Sequence, residues 1–170
     1  MLGGNEGINE NRDKGFNSEK AAGKSGETKK FLSFFLGTEE YGIDIVSVHE
    51  IIGVLPITSI PYTSNFIKGV INLRGKIIPV IDLRLKFEMS EAEYTEETCI
   101  IVTQSENLQV GVIVDKVSEV LDISPSQIED VPSFGIRTNI DYLLGICNIR
   151  GGVKLLLDID NVLSSKAASA

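Results

Sequence analysis

A mainly β fold, made of two similar small barrel-like lobes with a few short helices, is what this sequence predicts, and three observations predict it. The chain contains an internal repeat. Its apolar runs are short and separated by turn residues at close spacing. Its helix signals are few, and each is confined to a turn or so.

The repeat is clearest between FIKGVINLRGKIIPVIDLRLKF (residues 66–87) and YLLGICNIRGGVKLLLDIDNVL (142–163). Aligned without gaps, Gly69, Asn72, Arg74, Gly75 and Asp82 meet Gly145, Asn148, Arg150, Gly151 and Asp158. A weaker echo precedes each copy: Gly42, Val48 and Glu50 answer Gly111, Val117 and Glu119. Two copies of one unit predict two lobes that lean on each other rather than one active site on a scaffold.

The elements follow in order. Residues 1–29 hold little to bury beyond Leu2, Ile8 and Phe16, and read as a disordered tail. FLSFFL from Phe31 is a buried strand. Thr38-Glu39-Glu40 turns into a second strand over residues 41–48, with Tyr41, Ile43 and Ile45 on one face. Pro56 and Pro61 keep the next stretch irregular, and residues 66–68 read as one helical turn stopped by Gly69. VINL and KIIPVIDL form a hairpin about Arg74-Gly75, with Pro79 placing the second strand at an edge or a bulge.

Residues 88–98 are an acidic linker between repeat units of about 31–87 and 99–163. TCIIVT and LQVGVIVDKV make the next hairpin. Ser124-Pro125-Ser126-Gln127 has the cap, proline and glutamine of a helix start, and Pro132 keeps that helix short. The second copy of the hairpin covers 146–158, a last helical turn follows within 160–166, and 166–170 is a tail.

Composition narrows the function. With 170 residues and 42% hydrophobic content the chain can bury a core as one domain or two small lobes. Sixteen basic against twenty-four acidic residues give a net charge of −8, which argues against nucleic acid or anionic lipid as main partner. No stretch is long and apolar enough for a membrane span and the N-terminus has no signal pattern, so export is not expected. Cys99 and Cys147 lie inside apolar runs and read as reduced core thiols.

Catalytic chemistry is sparse. The single histidine, His49, and two distant cysteines do not make a zinc motif, and no nucleophile elbow is present. Ala22-Gly23-Lys24-Ser25 resembles the end of a phosphate loop, but Ser18 stands where the loop needs glycine and no strand precedes it. Asp82 and Asp158 end strands, where a carboxylate accepts turn or cap hydrogen bonds. A small enzyme using the cleft between lobes, with His49 as its ionisable group, stays open as an alternative. What remains is surface: Val48, Glu50, Ile51 and Ile52 form an apolar–acidic cluster, and Arg74 tops a hairpin. Taken singly, Arg74 is a solvated turn residue and Val48 and Ile51 are core; their convergence would make a partner-binding patch.

YGIDIVSVHEIIG, GVINLRGKIIPVIDLR and VGVIVDKVSEVLDI closely resemble bacterial chemotaxis coupling proteins of the CheW type, over residues 31–163. The resemblance implies two SH3-like five-stranded β-barrels sharing a hydrophobic core within residues 30–165. It implies no catalysis, no cofactor and no metal. It implies an adaptor between the cytoplasmic tips of chemoreceptors and the regulatory domain of a CheA-type histidine kinase, in cytoplasmic arrays at the cell pole, with coupler–coupler contacts also open. A related array outside chemotaxis is the alternative partner set.

By position, Val48, Arg74, Thr98 and Val120 are expected to face the receptor, and Glu50 and Ile51 the kinase. Gly69, Gly75, Gly111 and Gly145 are expected to shape the groove. His49 and Ile52 stand where polar residues are common in such proteins.

Overall fold

Two sheets divide the chain, and neither is one repeat unit. The computed structural model describes residues 26–132 and 140–164; of the tail expected over 1–29, residues 1–25 lie outside them while Lys29 opens the first strand, and the tail expected over 166–170 lies outside them as well. The strands are β1 (Lys29–Leu36), β2 (Glu39–Asp44), β3 (Val48–Gly53), β4 (Ile67–Leu73), β5 (Lys76–Asp82) and β6 (Cys99–Ser105). They continue with β7 (Leu108–Val114), β8 (Lys116–Ile123), β9 (Ile128–Glu129), β10 (Leu143–Ile149) and β11 (Gly152–Leu157). Helical turns are α1 (Leu83–Lys86), α2 (Ile159–Leu163) and 3-10 segments at Ile45–Ser47, Pro125–Gln127 and Ile140–Tyr142.

A six-stranded sheet runs β8-β1-β2-β11-β10-β9 and a five-stranded sheet runs β3-β6-β7-β5-β4. The first copy therefore lends its leading hairpin, β1–β2, to the lobe built from β8 to β11. The second copy lends β6–β7 to the lobe built from β3 to β5. The pairings repeat with the sequence: β11 runs parallel to β2 with Leu156 opposite Gly42, and β5 runs parallel to β7 with Val80 opposite Gly111. Asp82 N–H donates to the Phe66 carbonyl at 2.7 Å, and its counterpart Asp158 N–H to that of Tyr142 at 2.8 Å. The sequence repeat thus becomes a pseudo-two-fold relation with reciprocal strand exchange, whereas the sequence alone assigned one copy to each lobe.

The exchanged hairpins explain the apolar runs that do not alternate. Leu32, Phe34, Leu36, Tyr41 and Ile43 of β1–β2 join Ile101, Val110, Val112 and Val114 of β6–β7 in one core shared by both lobes. Their other faces fill two smaller cores, one with Ile71, Ile78, Val80, Ile100, Val102 and Ile113, the other with Phe31, Leu121, Ile123, Cys147 and Leu156. A strand apolar on both faces is buried on both faces. Each fully buried Phe34, Leu36 or Ile101 contributes about 2 kcal/mol of gross apolar burial.

Several local expectations need correction. Residues 66–68 are not a helical turn: Ile67 already belongs to β4, because a segment bridging Thr58 to Val70 lies against that strand. The strand expected over 41–48 stops at Asp44, whose carboxylate accepts from Val46 N–H at 3.0 Å and caps a 3-10 turn; β3 is a separate strand. In the second copy the chain likewise breaks at Asp115, and β8 begins at Lys116.

Pro79 lies in an interior strand, with β5 between β7 and β4. Val70, its partner, spends its own N–H and C=O on Thr58, so Pro79 faces it across a pair without hydrogen bonds. The ladder to β7 begins only at Val80, so the missing N–H leaves no gap. The turn expected at Ser124 is present, with Ser124 N–H donating to Gln127 Oε1 at 2.8 Å.

Candidate functional site

Each lobe ends in an exposed edge strand, β3 on one and β8 on the other. The turn after β4 is Arg74-Gly75, with φ of 53° and 87°; the turn after β10 is Arg150-Gly151, with φ of 52° and 75°. Leu73 faces Lys76 and Ile149 faces Gly152, so each is a two-residue hairpin turn of the kind that needs positive φ at both positions. Asn72 Oδ1 tightens the first turn by accepting from Gly75 N–H at 2.8 Å.

Both turn arginines reach back to the edge strand of their lobe. Arg74 pairs with Glu50 of β3. Arg150 Nη1 donates to Glu119 Oε1 of β8 at 2.7 Å. Beside each glutamate stands a partly exposed aliphatic residue, Ile51 at 43% and its repeat counterpart Val120 at 46%. Behind each arginine stands another, Ile77 at 61% and its counterpart Val153 at 55%. The same set of groups therefore appears twice: an arginine held by a glutamate of the edge strand, with an exposed aliphatic residue following that glutamate in the strand.

The residues expected to face partners fall in different settings. Arg74 and Glu50, expected to serve different partners, are in direct contact. Val48 is half-buried and packs against the shared core, while Val120 stands in the open on β8. Thr98 is buried, and its hydroxyl accepts from Thr95 N–H at 2.8 Å. It lines a cleft of about 420 Å³ with Phe35, Arg84, Asp115 and Lys116; Val48, Arg74 and Val120 are not in its lining.

The glycines act through space. A Cβ on Gly69 would lie 2.0 Å from the Thr58 carbonyl oxygen, one on Gly145 2.8 Å from that of Glu129, and one on Gly111 2.7 Å from the Ile100 side chain. Gly75 meets nothing and is required only by its turn.

Sequence reasoning missed the ties between lobes. Arg84 of α1 makes a forked pair with Asp115, its Nη2 at 2.7 Å and Nε at 2.9 Å, and Asp115 also accepts from Gly37 N–H at 2.7 Å. The Arg84 hydrogen bond holds the Asp115 carboxyl below the ordinary carboxylate range. Lys86 is buried, and its Nζ sits 4.2 Å from the Phe66 ring centroid and 5.7 Å from that of Tyr142, the two counterpart aromatics of the repeat. Burial pushes its pKa down. Arg84 and Asp115 lie thirty-one residues apart with no spacing to reveal them.

The arrangement offers little chemistry. Burial raises both thiols, and Cys147 lies in the core of the six-stranded lobe, away from His49 on β3. His49 Nε2 lies 3.8 Å from Glu50. Among the described residues no His, Cys, Asp and Glu cluster is arranged to hold a metal, and no helix is long and apolar enough to cross a membrane.

Comparison with known proteins agrees with this geometry. Residues 30–167 match the family model described as a CheW-like domain. The chain is 45% identical over 144 residues to the chemotaxis protein CheW of Klebsiella aerogenes, covering 84% of this chain and 87% of that protein. It is 38% identical over 118 residues to the chemotaxis protein CheW of Bacillus subtilis, covering 69% and 74%. The crystal structure of the scaffolding protein TtCheW from Thermoanaerobacter tengcongensis superposes with a TM-score of 0.74 at 36% identity, covering 81% of this chain and 88% of that one.

Proposed function

The chain belongs to the CheW-like domain family of chemotaxis coupling scaffolds, and from that premise we propose that it joins chemoreceptor tips to the regulatory domain of a CheA-type histidine kinase without chemistry of its own. The observation that carries this reading is the pair of exposed edge strands, each with an exposed aliphatic residue next in sequence to a glutamate that holds an arginine. A small apolar contact ringed by charge suits a reversible, modular interface.

In this reading Glu50 and Ile51 meet the kinase domain. Val48, Arg74, Thr98 and Val120 belong to the face that meets a helical receptor tip, Thr98 as a buried residue just before β6. Gly69, Gly75, Gly111 and Gly145 set the backbone path around these faces. Glu50 serves both faces, since it orients the Arg74 guanidinium. The protein acts in the cytoplasm, within receptor arrays at the cell pole.

Calorimetric titration against the isolated kinase regulatory domain tests the assignment. Saturable one-to-one binding, weakened at least tenfold by Ile51→Asp while receptor-fragment binding persists, is expected. Arg74→Ala and Val48→Glu should do the reverse. Wild-type kinase affinity in Ile51→Asp would reject the kinase face, and wild-type receptor affinity in both other variants would reject the receptor face.

A further inference from the structure

Arg150 stands where the backbone asks for a different residue. A two-residue turn with φ positive at both positions favours Asn-Gly or Asp-Gly. A longer side chain in the left-handed region crowds the following carbonyl and costs about 1–2 kcal/mol. Arg150 accepts this at φ 52°. Its ion pair with Glu119 lies on the surface, both side chains well exposed. Such a pair returns about 0.2–1 kcal/mol, and less in salt. Folding alone would therefore put asparagine at this position, and the guanidinium answers to another need.

The pseudo-two-fold relation indicates which need. Glu119, Val120, Arg150 and Val153 repeat Glu50, Ile51, Arg74 and Ile77 in residue type, pairing and exposure. Glu119 takes a hydrogen from Nη1, and among the described residues the remaining donors of the fork have no other partner.

We propose that Arg150, oriented by Glu119, is a second arginine of the receptor-docking face, and that it receives the carbonyl-rich C-terminal turn of a receptor helix on the lobe that carries Val120. This rests on the reading of Val120 as receptor-facing. A helix end presents unsatisfied carbonyls and the negative end of its dipole, the acceptor set that a forked cation fits. The arginine pair on two lobes makes the face two-sided: Arg74 serves one part of a helical hairpin tip and Arg150 another.

The test is titration of the full chain with a helical-hairpin fragment of the receptor, beside thermal melts and titration with the kinase regulatory domain. Arg150→Asn is expected to melt no lower than wild type, to keep kinase binding, and to bind the receptor fragment about tenfold more weakly. Arg150→Ala should lose binding similarly. Val120→Glu is the control for the underlying reading. If both Arg150 variants bind the fragment like wild type while Val120→Glu does not, Arg150 has no docking role and the inference falls alone. If Val120→Glu also binds like wild type, the receptor-facing reading falls and takes the inference with it. A clear drop in the melting temperature of Arg150→Asn would overturn the turn-strain argument on which the assignment stands.

Discussion

Replacing Gly69 by alanine tests how tightly one backbone segment is laid over another. The added Cβ would stand 2.0 Å from the Thr58 carbonyl oxygen and 2.7 Å from its carbon, and these are backbone atoms that no rotamer change can move. The segment around Thr58 must lift away, which breaks the reciprocal bonds Thr58 N–H to Val70 O and Val70 N–H to Thr58 O, both 2.9 Å. At about 1 kcal/mol each these account for about 2 kcal/mol. Position 69 also has φ of 140°, which alanine resists, adding about 1–2 kcal/mol. The expected loss is about 3–4 kcal/mol, or a melting temperature lower by roughly 6–16 °C for a domain of this size.

Gly75→Ala is the control, since its φ is 87° but its Cβ meets nothing within 4 Å; it should cost about 1 kcal/mol from backbone strain alone. Urea unfolding of both variants, with the midpoint and slope compared, separates the two. A Gly69→Ala protein no less stable than Gly75→Ala would refute the close approach of residues 58 and 69.

Three further outcomes follow from the polar groups. Arg84→Ala should lose about 2–3 kcal/mol at neutral pH by orphaning Asp115. Because the folded Asp115 pKa lies below its unfolded value, the stability it contributes is present above about pH 4 and is lost as pH falls through the folded value. Acid titration of unfolding should therefore be flatter below pH 4 in Arg84→Ala, and an unchanged acid limb would contradict the pairing. Lys86→Met should be as stable as wild type or up to about 1 kcal/mol more so, since it removes a buried cation that shows no ion pair among the described residues. Lys86 has a lowered folded pKa, so wild-type stability should rise as pH climbs toward 10.5 and the variant should lack that rise; a marked loss in the variant would mean that the contacts with Phe66 and Tyr142 outweigh burial. Lys154, buried, and Glu40, partly buried, lie 2.8 Å apart and join β11 to β2. Lys154→Met alone should cost about 3 kcal/mol and the double change Lys154→Met with Glu40→Leu close to none, so additive losses in chemical denaturation would exclude coupling between them.

Much of this fold was legible in the chain, and the failures share a cause. The apolar runs and the Arg-Gly turns announced the hairpins about Arg74-Gly75 and Arg150-Gly151, because those pairings are local, though not that their first strands begin as early as Ile67 and Leu143. The partners of β1–β2 and β6–β7 are set by burial against strands far away in sequence, and the repeat reports likeness without reporting pairing. Pro79 misled for the same reason: whether a missing N–H matters depends on where the neighbouring ladder starts. β3 and β8 were not read as strands of their own, and only Val48 and Lys116–Val117 were joined to the preceding strands, since the breaks at Asp44 and Asp115 come from aspartate hydrogen bonds and not from glycine or proline. At the candidate site the repeat pointed to Glu119 and Arg150 alongside Glu50 and Arg74. It could not reveal that each arginine closes on its own glutamate, or that Thr98 lies buried.

The reciprocal hairpins also set an order of events at the ribosome. β2 ends at Asp44 and its parallel neighbour β11 ends at Leu157. At a synthesis rate of about 5–20 residues per second, the first hairpin waits roughly 6–23 s for its partner to emerge. Until β7 emerges Leu32, Phe34, Leu36, Tyr41 and Ile43 lack their partners in the shared core, and until β11 emerges β2 keeps an unpaired edge. The five-stranded lobe can close as soon as β7 is made, so the nascent chain passes through a half-built stage with one finished lobe and one sticky hairpin. A holdase chaperone that recognises short apolar strands would find its substrate in that interval, and slowing translation after Val114 would lengthen the exposure without altering the finished protein.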